Sequence, residues 1–459
     1  MEINRREFLK LLGVSTTSAA VGALGAGAIF SMPDEVFERL NSGPHIETWK
    51  NSICTLCSGG CGIRIRQIDG IPVRIMGNPL YPINRGAVCP NAEAGIEMLF
   101  HPDRIRQPLK RAGRRGENRW ETISWEEALK ILTDRLQNLR TQGNPEKLVM
   151  LTRDNNEMIT DLSRRFMLAF GSPNFLCWSE ARVASLPAWL SQGLEQVPVY
   201  DLSNANFLLN FGGDFLDEGP TPVRFNHLYS KLRNRKEQNS AQIIHISPYM
   251  SRTAANSSEW VPIKPGTMAA LALSIANVMI RYGSYDKNFI RNHTFGFSDW
   301  KDADGKWHQG FKSLASEEYY PEKVSEITGI PAKKIVEIAR NFGAAQPALA
   351  IADWRAAAGT NSFHTLWAIY CLNALKGNLE KPGGILFPKE MITASLPEIK
   401  PDEISRRGLE RAKIGTVRSL GSPVNQDSIN QVLQSLLDNK PYSVDTLILY
   451  GVNPLFESI

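Results

Sequence analysis

The run CTLCSGGCGIRIRQIDGIPVRIMGNPLYPINRGAVC, residues 54–89, holds four of the six cysteines in the chain. Three of them form a C-x2-C-x3-C triplet, and the fourth follows after a stretch long enough for a β-hairpin. The four residues are Cys54, Cys57, Cys61 and Cys89. Thiolates are the usual protein ligands of iron–sulfur clusters, and the glycines in this run let the backbone bend closely around the sulfurs. The spacing therefore predicts that these four residues are the metal ligands of one [4Fe–4S] cluster.

The sequence leaves two other interpretations of these cysteines open. A zinc site usually pairs two C-x2-C knuckles or adds histidine, and this run has no second knuckle. A disulfide framework is typical of small, cysteine-dense exported chains, whereas this chain has six cysteines in 459 residues. Both interpretations explain the spacing less well than the cluster does.

The first thirty residues have the features of an export signal. Arg5-Arg6 precede Phe8 and Lys10 in a twin-arginine pattern, and the stretch from Leu11 to Phe30 is only weakly apolar. A transmembrane anchor would be more hydrophobic. We therefore interpret residues 1–32 as a twin-arginine signal segment, which would place the protein on the periplasmic side of the cytoplasmic membrane. Because this pathway carries folded proteins, a cluster can be inserted before export.

The composition is that of an ordinary globular protein. The net charge of +5 is modest for 459 residues, and no basic block carries interleaved aromatic residues. We therefore expect no nucleic acid partner. The length predicts two to four domains with large cores.

After the cysteine run, short apolar segments alternate with helical patterns. Asp69-Gly70 is a turn signal inside the cysteine run, and Ser124 is the predicted N-cap of a helix that begins at Trp125. The predicted strands cover 147–152, 206–213, 241–247, 347–353 and 445–451, and two further helices cover 268–282 and 365–377. This alternation predicts an α/β fold with mostly parallel sheets behind a small β-rich cluster domain.

The residues after the predicted strands are candidate ligand contacts. Ligands of parallel α/β folds bind beyond the carboxyl ends of the strands, where glycine and asparagine allow tight turns. The residues in question are Gly212, Gly213, Asp214, Ser247, Pro248, Gly451, Asn453 and Pro454. Each turn taken alone is equally typical of any α/β protein.

The chain resembles the molybdopterin oxidoreductase superfamily, the dimethyl sulfoxide reductase group, over nearly its whole length after the signal. The landmarks stand in the family's order: NRGAVC (84–89), ISWEEAL (123–129), FGSPN (170–174), IKPGT (263–267), LNALKGNLEKPGG (372–384) and YGVNPLF (450–456). The resemblance implies a [4Fe–4S] cluster and a molybdenum or tungsten bis-molybdopterin guanine dinucleotide. At the positions that correspond to the family's cofactor contacts, it adds Asn91, Gly266 and Thr267 as candidates.

The resemblance also implies a domain arrangement. The cluster domain would cover 45–105, one discontinuous α/β domain 106–165 with 345–459, and an inserted α/β domain 166–344. Each α/β domain would bind one pterin nucleotide. The family's C-terminal cap domain has no counterpart in this chain.

Several positions depart from the family pattern where it contacts the molybdenum cofactor. Asn91 stands where the family usually has lysine or arginine, and Met268 stands where it has the acid after P-G-T. Ser247-Pro248-Tyr249 replaces the usual D-P-R run. Alignment puts Ala181 or Arg182 at the metal-ligand position, and neither offers a thiolate.

Other residues near these positions have two interpretations. Cys177 could ligate metal with a shifted loop or be a buried small residue, and Cys371 reads as a core residue of an apolar helix. Asp214 and Glu218 could contact a nucleotide or serve as loop or capping residues.

The complete cluster ligands and the lost cofactor contacts together resemble the molybdopterin-like subunit of menaquinone reductase complexes. The first hypothesis is thus an exported iron–sulfur subunit of a respiratory oxidoreductase complex that passes electrons without molybdenum. Its partners would be an iron–sulfur protein subunit, an integral membrane quinone-interacting subunit and a multihaem cytochrome c. The second is a catalytic molybdenum oxidoreductase acting on polysulfide, thiosulfate or tetrathionate. A third, weaker hypothesis is an exported binding protein with disulfides. The sequence does not decide whether molybdenum is bound.

Overall fold

The computed structural model describes residues 44–153, 157–178, 182–194, 197–217, 219, 221–233, 241–352, 356, 359, 361–388, 396–415 and 429–457. The chain divides into two units, Met1–Arg135 and Leu136–Ile459. The predicted signal segment, 1–32, lies outside the described residues. No helix of the described part is long and apolar enough to cross a membrane.

The strands, in chain order, are β1 (Glu47–Ile53), β2 (Gly62–Ile68), β3 (Ile71–Gly77), β4 (Leu109–Arg111), β5 (Trp120–Thr122), β6 (Leu148–Arg153), β7 (Phe175–Trp178), β8 (Val199–Tyr200), β9 (Phe207–Phe211), β10 (Gln242–Ser247), β11 (Glu259–Pro262), β12 (Trp300–Lys301), β13 (Trp307–His308), β14 (Ala348–Ala352), β15 (Ile385–Leu386) and β16 (Thr446–Tyr450).

The α-helices are α1 (Pro90–Ala94), α2 (Glu97–Phe100), α3 (Trp125–Thr141), α4 (Glu157–Phe170), α5 (Arg182–Gln192), α6 (Pro222–Arg233), α7 (Arg252–Ala255), α8 (Met268–Tyr282), α9 (Lys287–His293), α10 (Phe311–Glu318), α11 (Pro321–Thr328), α12 (Ala332–Ala344), α13 (Ser362–Lys376), α14 (Glu403–Leu409), α15 (Ile429–Asp438) and α16 (Pro454–Glu457). Two short 3-10 helices cover Pro145–Lys147 and Leu202–Asn204.

The first unit contains the predicted hairpin. Strands β1, β2 and β3 form an antiparallel sheet in that order, and β4 pairs with β5. Asp69 and Gly70 join β2 to β3 with φ angles of 50° and 79°. Two consecutive positive φ values are what a two-residue hairpin turn requires, so the Asp-Gly pair was a reliable signal. The side chain of Ser124 accepts a hydrogen bond from the Glu127 amide at 3.1 Å, which confirms the predicted helix cap.

The second unit contains two parallel sheets, in agreement with the predicted fold class. One has the order β16-β6-β7 and the other β11-β10-β9-β14. All of their pairings are parallel. Strand β9 lies inside its sheet and is buried along its whole length. Such strands need apolar side chains on both faces, which explains the continuous apolar runs in the sequence.

Two hydrophobic cores cover the two faces of the four-stranded sheet. Phe207, Leu209 and Phe211 of β9 pack into one core, together with buried residues of α8, α12 and α13. Leu208 faces the opposite core, which includes Leu232 of α6. Alternate residues of the strand thus enter different cores, as the two-residue period of a strand demands.

Two strand pairings cross the ranges that we predict for the α/β domains, and those ranges stay predictions. Strand β14 pairs with β9, although it belongs to the range 345–459 that we assigned to the discontinuous domain. Strand β7 pairs with β6, although 166–344 was assigned to the inserted domain. The reason is that strand partners are set by long-range pairing, which landmark motifs do not report.

Candidate functional site

The C-x2-C-x3-C triplet forms a closed loop between β1 and β2. Cys54 directly follows β1, and its amide donates a hydrogen bond of 2.8 Å to the carbonyl of Cys61. Gly60 has a φ of +54°, which glycine adopts without strain. The amide of Gly59 donates to the sulfur of Cys57 at 3.4 Å. The loop thus presents three sulfurs from eight residues and already directs one amide at a sulfur.

Asn84 joins this loop to the turn that carries Cys89. Its Oδ1 accepts from the amide of Gly62 at 3.0 Å, and its Nδ2 donates to the carbonyls of Gly62 at 2.9 Å and Ala87 at 2.7 Å. Asn84 is completely buried. One side chain therefore fixes the end of the triplet loop to the segment just before Cys89.

Gly62 is required here by close packing. A Cβ at this position would lie 2.3 Å from the ring of Tyr81, so the ring sits directly on the backbone where β2 begins. Cys89 lies at the N-cap of α1, and its carbonyl accepts from the amides of Ala92 and Glu93. These contacts hold both ends of the cysteine run in place.

The thiols of Cys54 and Cys61 lie close enough to the other cysteines of the run to feel charge on their sulfurs. Burial raises the pKa of Cys61, and negative charge on Cys57, Cys54 and Cys89 would raise it further. Burial likewise raises the pKa of Cys54, partly offset by a hydrogen bond from the backbone of Leu56. All six cysteines of the chain are free thiols. Within the described residues no three His, Cys, Asp or Glu side chains are grouped closely enough to share one metal ion. A [4Fe–4S] cluster instead takes one thiolate at each of four irons, and this donor set fits that requirement.

The second group of predicted residues lies beyond the four-stranded sheet. Gly212, Gly213 and Asp214 follow β9, and the neighbouring strand β10 ends at Ser247, directly before Pro248. Gly266 and Thr267 come between β11 and α8. Because the strands are parallel, all three segments lie at one edge of the sheet, where ligands of such folds bind.

Side chains of the protein itself occupy part of this edge. The Cε of Met268 lies 3.2 Å from where a Cβ on Gly212 would stand. The hydroxyl of Tyr249 donates to Asp214 Oδ2 at 2.6 Å. Met268 and Tyr249 are also two of the residues that depart from the family pattern.

Gly451, Asn453 and Pro454 belong to the other sheet. They follow β16, and Pro454 begins the short helix α16. Gly451 has a φ of +63°, and a Cβ there would meet no atom within 4 Å. The structure therefore separates the predicted contacts into two strand-end groups on two sheets, while Asn91, on α1 of the first unit, is exposed and uncharged.

The remaining predicted residues fall into three classes. Cys177 lies in β7 with 3% exposure, which agrees with its interpretation as a buried small residue. Cys371 lies in α13, where burial raises its pKa to about 12. Ala181, Glu218 and the side chain of Arg182 lie outside the described residues.

Sequence reasoning missed four polar residues around these sites. They are Asn84, Asn210, His245 and, as a bonding partner, Tyr249. Asn210 and His245 each interrupt an apolar strand, in FLLNF and IIHIS, and both are completely buried. A single polar residue inside an apolar strand indicates a buried hydrogen bond, because a buried polar side chain requires a hydrogen-bond partner.

Two family models match the chain. The model described as molybdopterin oxidoreductase matches residues 104–457, and the model of the molybdopterin oxidoreductase Fe4S4 domain matches residues 47–100. The second range contains all four cysteines of the run and the three strands of the antiparallel sheet. It supports the predicted [4Fe–4S] cluster.

Curated relatives match over most of the chain. The molybdopterin-binding-like subunit of menaquinone reductase from Nitratidesulfovibrio vulgaris is 29% identical over 392 residues, 84% of this chain and 52% of the relative. The molybdopterin-containing subunit of thiosulfate reductase from Salmonella typhimurium is 25% identical over 467 residues, 99% of this chain and 58% of the relative. This chain thus spans a little over half the length of these relatives.

A solved structure shares the fold. Acetylene hydratase from Pelobacter acetylenicus superposes with a TM-score of 0.70 at 22% sequence identity, covering 88% of this chain and 57% of that one. At this identity the similarity supports the fold alone.

Proposed function

Because the chain belongs to the molybdopterin oxidoreductase family, we propose that it is an exported iron–sulfur subunit of a membrane-associated respiratory oxidoreductase complex. In this role one [4Fe–4S] cluster passes electrons to or from a partner subunit. The observation that carries the proposal is the contrast between a complete cluster loop and an altered strand-end site. The chain's similarity to a menaquinone reductase subunit supports the same role.

Cys54, Cys57, Cys61 and Cys89 would hold the cluster, which supplies one-electron transfer when bound. The protein tunes such a centre through burial and through hydrogen bonds to sulfur. Here Cys61 is buried, Cys57 is exposed, and Gly59 donates to the Cys57 sulfur. Because burial raises the pKa of Cys54 and Cys61, loading the cluster would release protons from these thiols.

The residues at the four-stranded sheet fit a molybdopterin nucleotide poorly. Asp214 already accepts a hydrogen bond from the hydroxyl of Tyr249, and the side chain of Met268 lies against Gly212. Near the cluster, the exposed Asn91 offers no positive charge where the family usually has one. We therefore propose that the subunit works without molybdenum, and derive no step through that metal.

The proposed partners follow from this role. A subunit that only relays electrons needs a donor and an acceptor, for which we propose an iron–sulfur protein subunit, a multihaem cytochrome c and an integral membrane quinone-interacting subunit. The twin-arginine pattern at Arg5-Arg6 supports a location on the periplasmic side of the cytoplasmic membrane.

Elemental analysis of the purified protein tests the proposal. We expect about four irons per chain and no molybdenum or tungsten. Molybdenum or tungsten near one atom per chain would contradict the relay role, and a chain without iron would contradict the cluster assignment.

The second candidate function is a catalytic molybdenum oxidoreductase acting on polysulfide, thiosulfate or tetrathionate. The observation in its favour is the match to a thiosulfate reductase subunit over 99% of this chain. The substitution Cys177→Ala separates the two candidates. Under the relay role electron transfer should be retained, since Cys177 is a buried strand residue, whereas complete loss with intact iron content would favour a metal ligand.

A further inference from the structure

Asn210 and His245 form a buried polar pair between β9 and β10. They are directly opposite one another in the parallel register, and both are completely buried. The amide orientation of Asn210 is fixed by Gly213, whose N–H donates to Oδ1 at 2.9 Å and whose carbonyl accepts from Nδ2 at 2.7 Å. The same Nδ2 lies 2.8 Å from Nδ1 of His245. Asn210 is therefore the donor in that contact, and His245 Nδ1 is the acceptor.

This contact sets the tautomer of His245. A neutral imidazole that accepts at Nδ1 carries its proton on Nε2. Nε2 faces Oδ1 of Asp214 at a distance of 3.7 Å. Neither of these two buried atoms has a hydrogen-bond partner among the described residues. The other carboxylate oxygen of Asp214 accepts from Tyr249.

The separation of 3.7 Å exceeds a direct hydrogen bond between nitrogen and oxygen. A buried N–H and a buried carboxylate oxygen left unpaired are both costly. One water molecule in a bent position can accept from Nε2 and donate to Oδ1 at normal distances. The chemistry of the pair thus specifies a ligand with one acceptor and one donor, and water is the smallest molecule that offers both.

The four side chains of this network are called the polar lock: Asn210, Asp214, His245 and Tyr249. They connect the loop after β9 with the loop after β10. The polar lock lies at the same sheet edge as Met268, whose methyl group covers Gly212. Tyr249 and Met268 stand where the family has the arginine of D-P-R and the acid after P-G-T, so both departures place protein groups where a nucleotide would bind.

We propose that the polar lock, with one bound water between His245 and Asp214, closes this strand-end crevice to guanine nucleotides. Its hydrogen bonds instead stabilise the packing of the loop after β9 against the loop after β10. The inference deepens the proposed function and rests on it in one respect, the absence of a pterin nucleotide from this sheet. Asp214 is then a bonding partner within the protein, not a ligand contact.

Thermal unfolding of the full chain tests this stabilisation. Tyr249→Phe and Asp214→Asn remove the same hydrogen bond to a carboxylate, so each should lower the Tm by about 2–4 °C in a chain of this size. The double variant should fall no further than the larger single effect, since the two changes are coupled. Tyr320→Phe is the control, because Tyr320 is similarly exposed, at 43% against 51% for Tyr249.

Replacing a residue whose side chain serves to bind a ligand often leaves the Tm unchanged or raises it, unlike replacing a residue that stabilises the fold. An unchanged or higher Tm in both single variants would therefore overturn the polar lock. Guanosine diphosphate is the probe for the crevice, since any ligand of the folded state raises the Tm. We expect no shift at about 1 mM of this nucleotide, and a clear rise in the wild-type protein would overturn the closure.

These outcomes are distinguishable from those of elemental analysis. Molybdenum in the purified protein contradicts the relay role. A Tm in the two variants that equals the wild-type value contradicts the polar lock, whatever the metal content. Nitrogen NMR of His245 adds a direct readout, with the proton expected on Nε2. A proton found on Nδ1 would contradict the hydrogen-bond assignment on which the water site depends.

Discussion

Asn84 supplies no sulfur, yet it holds the cysteine run together. Its side chain bonds the backbone at Gly62, where the triplet loop ends, and at Ala87, just before Cys89. Cluster ligands far apart in sequence must be brought within a few ångströms before iron arrives, and buried side chain–backbone bonds do this efficiently. Asn84 is thus a positioning residue for the proposed cluster.

We expect Asn84→Ala to lower the free energy of unfolding by about 2–4 kcal/mol, since it leaves buried backbone groups unpaired. Iron content should fall as well, although every cysteine remains. Urea unfolding and iron analysis measure the two effects. Asn51→Ala is the control, because Asn51 is exposed on β1, and equal effects in both variants would contradict the positioning role.

At the same scale, Cys57→Ser should lose or convert the cluster, because a serine hydroxyl is a poor substitute for a thiolate on iron. Iron per chain and the broad visible absorption of the protein report the result. Cys371→Ser is the matched control, since Cys371 is a half-buried residue of α13 outside the cysteine run, and it should keep its iron. Unchanged iron in Cys57→Ser would refute the ligand assignment.

Helix α13 carries a family landmark whose side chains hold the helix against its neighbours in the fold. In its LNALKGN run, Asn373 bonds both backbone groups of Ala350 in β14, at 2.9 and 2.8 Å. Lys376 donates from Nζ to the carbonyls of Gly343 and Ala345 at the end of α12, and burial lowers its pKa to about 8. The landmark therefore fastens one helix to a strand and to another helix.

Replacing Asn373 tests this fastening. Asn373→Ala leaves the buried N–H and C=O of Ala350 without side-chain partners, so the free energy of unfolding should fall by about 2–4 kcal/mol. Asn292→Ala on α9, where the side chain is exposed, should change stability by less than about 0.5 kcal/mol. Chemical denaturation compares the two, and a similar small effect at both sites would contradict the anchoring role.

The sequence predicted these elements unevenly, for physical reasons. Strands with continuous apolar runs, such as β9 and β14, were found to within two residues, and α8 matched its predicted range 268–282. The pairing of β14 with β9 was not predicted, because it is a long-range choice that local patterning does not encode. The strand-end positions were found, but Tyr249 bonding to Asp214 was not, since side-chain partners depend on the final packing.

For the whole molecule, His245 makes stability depend on pH in a defined direction. Burial lowers its pKa from 6.5 to about 4, only partly opposed by the charge of Asp214. Between these values the unfolded chain binds a proton that the folded protein does not. The free energy of unfolding therefore falls as the pH drops from about 6.5 to about 4, and the full effect is roughly 3 kcal/mol.

His245→Gln should flatten this dependence, because the replaced side chain cannot titrate. Unfolding free energies measured at several pH values give the slope, and the difference from wild type isolates the histidine from the carboxylates. His293→Gln, at an exposed position on α9, should keep the wild-type slope. Identical slopes in wild type and His245→Gln would show that folding does not shift the pKa of His245, contrary to this expectation.

The pairing of β14 with β9 also has a consequence for synthesis on the ribosome. Strand β9 is apolar except for Asn210, and its second edge stays unpaired until residues 348–352 have been translated. An open apolar strand edge is a template for wrong pairing with other chains. The other sheet waits even longer, because β6 receives β16 only from residues 446–450. From the synthesis of β9 until that of β14, the nascent chain therefore carries two incomplete sheets, and this is the interval in which chaperones would protect it from wrong pairing.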